Sequence, residues 1–188
     1  MVSTIIKEKT KAQHEAVEAK LYASKIFEGR YTLADYETLI QLHYDFIVHF
    51  EKAVFSAFGP ATAEGLNLER RRKLPLIVQD LQQLKICVSE NSSATVLSAA
   101  EAFGVLYVME GATLGGTVIA RQLSKYKNFK DLSFNYLNCY GAETGPLWKQ
   151  FLRVIDTEMA SEEYGAVLAG AERAYHFMLS RLEGSANH

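Results

Sequence analysis

Ala99-Ala100-Glu101-Ala102-Phe103-Gly104-Val105-Leu106-Tyr107-Val108-Met109-Glu110-Gly111-Ala112-Thr113-Leu114-Gly115-Gly116-Thr117-Val118-Ile119-Ala120 has the apolar spacing and length of a helix, yet holds four of the chain's twelve glycines. Each interior glycine costs about 1 kcal/mol relative to alanine, so the run gives up roughly 4 kcal/mol of local helix stability. At about 100° per residue, Gly104, Gly111 and Gly115 project within a few tens of degrees of one another. Gly115-Gly116 also offers a place to bend. One face is therefore bare backbone. Two uses fit such a face: close packing against another helix, the commoner use of helical glycines, or close approach to a flat ligand around which the backbone flexes.

The rest of the composition points to helices. The 188 residues contain only three prolines and carry a net charge of −2. That length suits a single domain over 1–188 with a substantial core, its last residues, 184–188, a frayed tail. The charge gives no reason to expect a nucleic acid or an anionic membrane as partner. Lysines and glutamates interrupt the first twenty residues, so no secretory signal is expected. Glu101 and Glu110 are expected to break the apolar run short of a membrane span. Cys87 and Cys139 lack the spacing of a zinc site or a disulfide framework. The expectation is a soluble, cytoplasmic, all-α protein.

Along the chain, a first helix is predicted from a cap at Ser3 or Thr4. Ile6, Thr10, His14, Val17 and Leu21 form one stripe of it, with His14 in the middle. Glu18, one turn on, is placed to accept a proton from an imidazole N–H, which would fix the tautomer and leave the other nitrogen for a metal. A core histidine satisfied by Glu18 is the commoner arrangement. Lys7 lies nearly on the same face and Lys11 on its edge. The stripe thus offers a neutral nitrogen ligand with cations close by, as a metal complex with anionic groups would require.

A second helix is predicted from Thr32 to about Phe58, with Thr32 as cap and Asp35 three residues later. His43 and His49 point to different sides of it and form no shared metal site. Arg70-Arg71-Arg72-Lys73 reads as a solvated helix end. Pro75 suits the first turn of the next helix, 89–93 reads as a loop, and the glycine-rich helix is expected from about Ala94 to Leu123. Gly141 to Pro146 is a turn launching a helix through Trp148, Phe151 and Ile155. Arg153 on that helix is placed to meet an anion or to sit in a surface ion pair. A last helix begins near Ser161.

His14 with Glu18, followed by Glu110-Gly111-Ala112-Thr113-Leu114-Gly115-Gly116, resembles the heme oxygenases, and most of all the bacterial forms, including those that accompany bacterial phytochromes. The resemblance runs in order from Lys7-Glu8-Lys9-Thr10-Lys11-Ala12-Gln13-His14 to Trp148-Lys149-Gln150-Phe151-Leu152-Arg153. It implies a helical fold that clamps heme b between two helices. His14 would be the axial iron ligand and Gly111, Gly115 and Gly116 the distal helix. Lys7, Lys11 and Arg153 would meet the propionates, and Glu18 would hold the His14 ring. Thr10, Tyr107 and Tyr175 would contact the macrocycle, Tyr175 as an aromatic wall. The implied reaction opens heme with O2 to biliverdin, carbon monoxide and ferrous iron, fed by a ferredoxin or a flavin-dependent reductase. A phytochrome is the implied bilin acceptor.

The chain departs from this pattern at Ala112, where some family members carry an aspartate, and at Tyr107, offset by one residue from its place in the animal enzymes. The alternative on the same fold is a heme carrier without chemistry. A thiaminase-like hydrolase would need a pocket nucleophile, which neither cysteine supplies, and a di-iron site would need a Glu-x-x-His pair, which does not occur.

Overall fold

The computed structural model describes residues 1–88 and 95–185, and among these there is no strand. The helices are α1 (Val2–Lys9), α2 (Lys11–Lys20), α3 (Ala23–Phe27), α4 (Leu33–Ala57), α5 (Pro60–Leu66), α6 (Leu74–Gln83), α7 (Ala99–Leu123), α8 (Thr144–Glu158) and α9 (Tyr164–Ser185). Short 3-10 turns occupy Leu68–Arg71, Lys127–Phe129, Gly141–Glu143 and Ser161–Glu163. The all-α expectation holds. The expected loop at 89–93 lies outside the described residues, and α9 continues to Ser185, into the stretch expected to fray.

The two longest helices begin with reciprocal caps. Thr32 Oγ1 accepts the Asp35 N–H at 3.1 Å while the Asp35 carboxylate accepts the Thr32 N–H at 2.9 Å. Ser98 and Glu101 do the same for α7, at 3.2 and 2.8 Å. That second box sets the start of α7 at Ala99 rather than near Ala94, because it satisfies the first-turn donors there. Pro75 sits in the first turn of α6, as expected.

The amino-terminal region differs from its prediction. It forms two helices, not one, and Thr10 separates them with φ −102° and ψ 7°. The Thr10 hydroxyl donates to the Ile6 carbonyl at 2.8 Å, a back-bond that competes with regular helix. Ser3 is not a cap. It lies inside α1, where its N–H and hydroxyl donate to Asp156 on α8 at 2.9 and 2.6 Å.

Helix α7 runs through the centre, packed along α9 and against α4 and α8. By length and composition it would reach across a bilayer, contrary to the expectation that its glutamates shorten it. In the fold it is mostly buried against protein: Glu101 caps it and Glu110 is paired inside. Its crossing with α9 explains Gly104. A Cβ there would lie 1.9 Å from the Val167 carbonyl oxygen, and one on Gly170 would lie 2.1 Å from that of Glu101. Close helix packing accounts for this part of the bare face.

Candidate active site

The five-residue stripe of the first two helices is buried at Ile6, Thr10, Val17 and Leu21 and exposed at His14. This corrects the expectation of an apolar-face histidine, since the break at Thr10 resets the face that α2 turns inward. The His14 side chain is 55% exposed, with Nδ1 3.7 Å from the Glu18 carboxylate. That separation exceeds a hydrogen bond, so Glu18 faces His14 electrostatically without fixing its tautomer. Nε2 makes no hydrogen bond among the described residues. Lys7 and Lys11 are exposed on the same segment, and Lys11 lies 3.7 Å from Glu15, an exposed pair of little energetic weight.

Tyr175 of α9 meets His14 edge-on. Its hydroxyl is buried beside Thr10, and burial pushes its pKa up to about 12. Tyr107 of α7 lies close enough to Tyr175 to influence it electrically. Tyr107 also packs on Trp148 at 5.2 Å between ring centroids and on Phe151 at 6.3 Å. Burial first, and the Asp156 carboxylate second, hold the Tyr107 hydroxyl protonated. Trp148 continues the wall to Gly111, where an added Cβ would lie 3.8 Å from its ring. Tyr175 thus edges the His14 helix, and Tyr107, Trp148 and Phe151 form an aromatic cluster on the glycine-rich helix.

The distal glycines divide. A Cβ at Gly115 would meet nothing within 4 Å, and Gly111 is nearly as open. Leu114 and Val118, on the same side of α7, are 37% and 52% exposed. Gly116 is different: a Cβ there would lie 2.8 Å from the Leu137 carbonyl oxygen. It serves backbone packing rather than an open face. Arg153 is exposed on α8, one turn from Asp156 and so on the side of α8 that meets α1.

Sequence reasoning missed a buried charged cluster behind the glycines. Arg71 and Lys73 are fully buried, contrary to the reading of their run as solvated, while Arg70 before them and Arg72 between them are exposed. Both buried cations pair with Glu110. Arg71 also donates to the carbonyls of Leu66 and Leu147 at 2.7 and 3.1 Å. The Tyr140 hydroxyl donates to Glu110 at 2.9 Å, and the Glu51 carboxylate accepts the N–H groups of Lys73 and Leu74. Burial disfavours the Lys73 ammonium, but Glu110 and its polar neighbours outweigh that and raise its pKa. The available signal was Glu110 itself, a lone charge in an apolar helix that demands a buried partner.

The remaining histidines of α4 stay apart from this site. His43 is buried, shares a 2.8 Å hydrogen bond with Tyr136, and is pushed down to about 4 by burial. His49 stacks on Phe177. No group of three metal-ligating side chains occurs among the described residues, so a metal would have to arrive with its own ligands.

Heme brings four equatorial nitrogens and asks the protein for an axial ligand, so the exposed His14 imidazole fits it. The bare backbone at Gly111 and Gly115 fits a flat macrocycle. Comparison with known proteins agrees. A heme oxygenase family model matches residues 1–183. A heme oxygenase of Xanthomonas campestris pv. campestris is 29% identical over 153 residues, covering 80% of this chain and 90% of that protein. The crystal structure of the NO- and CO-bound heme oxygenase from Neisseria meningitidis matches with a TM-score of 0.73 at 20% identity, over 98% of this chain and 91% of that one. The chain belongs to the heme oxygenase family.

Proposed function

We propose that this protein opens heme to biliverdin, carbon monoxide and ferrous iron, using O2 and reducing equivalents from a ferredoxin or a flavin-dependent reductase. It does so as a cytoplasmic enzyme without nucleic-acid or membrane partners. Its bilin product suits supply to a phytochrome. One observation carries the reading: an exposed imidazole edged by Tyr175 and a bare stretch of helix edged by Trp148 lie on α2 and α7, which both pack against α9. Bound heme supplies the iron that activates O2 and the porphyrin that is oxidised.

The chain's own residues bind, orient and exclude water. His14 would give the iron a neutral nitrogen ligand, with the Glu18 carboxylate 3.7 Å from its other nitrogen as an electrostatic neighbour. Gly111 and Gly115 would let peptide groups approach bound heme closely, while Leu114 and Val118 would cover its apolar edge. Tyr175, Tyr107 and Trp148 close one wall. Thr10 supports Tyr175 from below. Lys7, Lys11 and Arg153 bring positive charge for two propionates, where charge-assisted bonds set the in-plane orientation. With Ala112 beside Gly111, this position offers no carboxylate, so proton delivery to bound heme would fall to backbone groups and solvent.

A hemin titration followed by reductant and air tests the proposal. A one-to-one Soret band that decays into a biliverdin spectrum, and is changed by His14→Ala, is the expected result. A Soret band that persists through turnover conditions would make the protein a carrier instead, and no complex would end the heme reading.

A further inference from the structure

Around Gly111 and Gly115, helix α7 has little of its own side chain with which to hold one chosen face toward a ligand. Between Glu101 and Arg121, Glu110 is its sole charged residue. Its buried residues Ala102, Phe103, Val105, Leu106, Val108 and Met109 circle the axis rather than marking one stripe. A helix apolar all round gains similar burial at several rotations and axial shifts. Close backbone packing at Gly104 and Gly116 resists such slips sterically, but the open stretch between them, at Gly111 and Gly115, carries no side chain that would.

Glu110 removes that freedom. Its carboxylate is gripped by Arg71 and Lys73, from the segment entering α6, and by Tyr140, from the turn before α8. The Tyr140 hydroxyl sits 2.9 Å from Oε1 and 3.2 Å from Oε2. Arg71, Lys73 and Glu110 side chains are 0%, 0% and 1% exposed. Turning α7 by one residue, or sliding it by one turn, would strand two buried cations and a buried carboxylate. Buried ion pairs add little net stability over apolar packing, and their best-attested use is to fix register. Glu110 lies about 100° round the helix from Gly111, so the grip acts on the flank of the bare face.

We propose that Glu110 is a positioning residue: Arg71, Lys73 and Tyr140 clamp its carboxylate and thereby fix the rotation of α7 that presents Gly111 and Gly115 to heme. What the face is presented to rests on the proposed function, whereas the clamp is a property of the heme-free chain.

Two variants test it. Lys73→Met removes one grip and leaves Glu110 balanced by Arg71, and Tyr140→Phe removes only a hydroxyl, so it carries the test where the first fails to fold. Amide hydrogen exchange of the heme-free protein is compared at residues 111–118 and at α4 residues 39–47. Exchange at 111–118 is expected to rise at least about tenfold while α4 changes less than about twofold. The visible bands of the ferric heme complex of the same variants are expected to move. Equal acceleration in both helices would mark a general stability role and overturn the proposal. So would unchanged exchange at 111–118, or heme bands identical to those of the unsubstituted protein. If the unsubstituted chain binds no hemin, the proposed function falls and the exchange ratio alone decides the clamp.

Discussion

The Tyr175 ring stands edge-on to His14, with ring centroids 6.2 Å apart and planes at 89°. The Tyr175 hydroxyl lies beside Thr10, whose own hydroxyl donates to Ile6 at the joint between α1 and α2. Tyr175 therefore supports both the histidine ring and the backbone joint that aims it. Tyr175→Phe keeps the ring and should cost about 1 kcal/mol in urea unfolding of the heme-free protein. Tyr175→Ala removes the wall as well and should cost about 3 kcal/mol. Only the alanine variant should weaken hemin binding strongly, as read by titration.

His14 makes an opposite kind of contribution. Its side chain is more than half exposed, and its neighbour Glu18, 3.7 Å away, is equally exposed. His14→Ala should therefore change unfolding stability by no more than about 0.5 kcal/mol. Biliverdin formation, followed by absorption, should fall at least about a hundredfold, with the heme spectrum altered by loss of the axial ligand. Stability and activity must separate at this residue if it is a ligand rather than a packing group.

The glycines of α7 give two predictions of opposite sign. Gly104→Ala forces a methyl to within 1.9 Å of the Val167 backbone, which has no flexible end to yield. Thermal unfolding should show a loss of about 3 kcal/mol or more. At Gly115 the added methyl meets nothing within 4 Å. Gly115→Ala should instead stabilise the heme-free helix by roughly 0.5–1 kcal/mol while lowering turnover, because the methyl projects toward the substrate face.

These contrasts show where the sequence was legible. Glycine spacing identified a bare helical face, and the Thr32–Asp35 pair identified the start of α4, because both are local patterns. The same spacing does not say which glycine meets another helix: Gly104 and Gly116 serve packing while Gly111 and Gly115 stay open, a division set by where α9 and Leu137 cross. The break at Thr10 escaped prediction because the apolar stripe runs through it, and a threonine back-bond is invisible in hydrophobic periodicity. His14 was legible as a candidate by its neighbours, but its exposure depended on that break.

His43 should leave a mark on stability against pH. Burial lowers its pKa from 6.5 to about 4, so the folded protein holds it neutral beside Tyr136. The unfolded chain takes up a proton below 6.5 that the fold resists. Its contribution is therefore complete above pH 6.5 and is lost as pH falls toward 4, by up to about 3 kcal/mol. His43→Gln, which retains an acceptor for the tyrosine, should flatten urea-unfolding free energies across that window relative to the unsubstituted protein.

Adjacent arginines should respond very differently to the same truncation. Arg72 is exposed, pairs with Glu69 at 2.7 Å and lies 4.7 Å from the Phe55 ring centre. Arg72→Ala should cost less than about 1 kcal/mol, since water replaces most of what is lost. Arg71 is fully buried, and its guanidinium satisfies Glu110 together with the carbonyls of Leu66 and Leu147. Arg71→Ala leaves those two carbonyls without their donor and Glu110 with one cation fewer, for an expected loss of about 3–5 kcal/mol in chemical denaturation. Equal losses from the two variants would mean that the chain turns its basic run the other way, with Arg72 inward. In that arrangement Glu110 would lose the guanidinium that grips it, and the bare face of α7 would no longer be held in place by the cluster behind it.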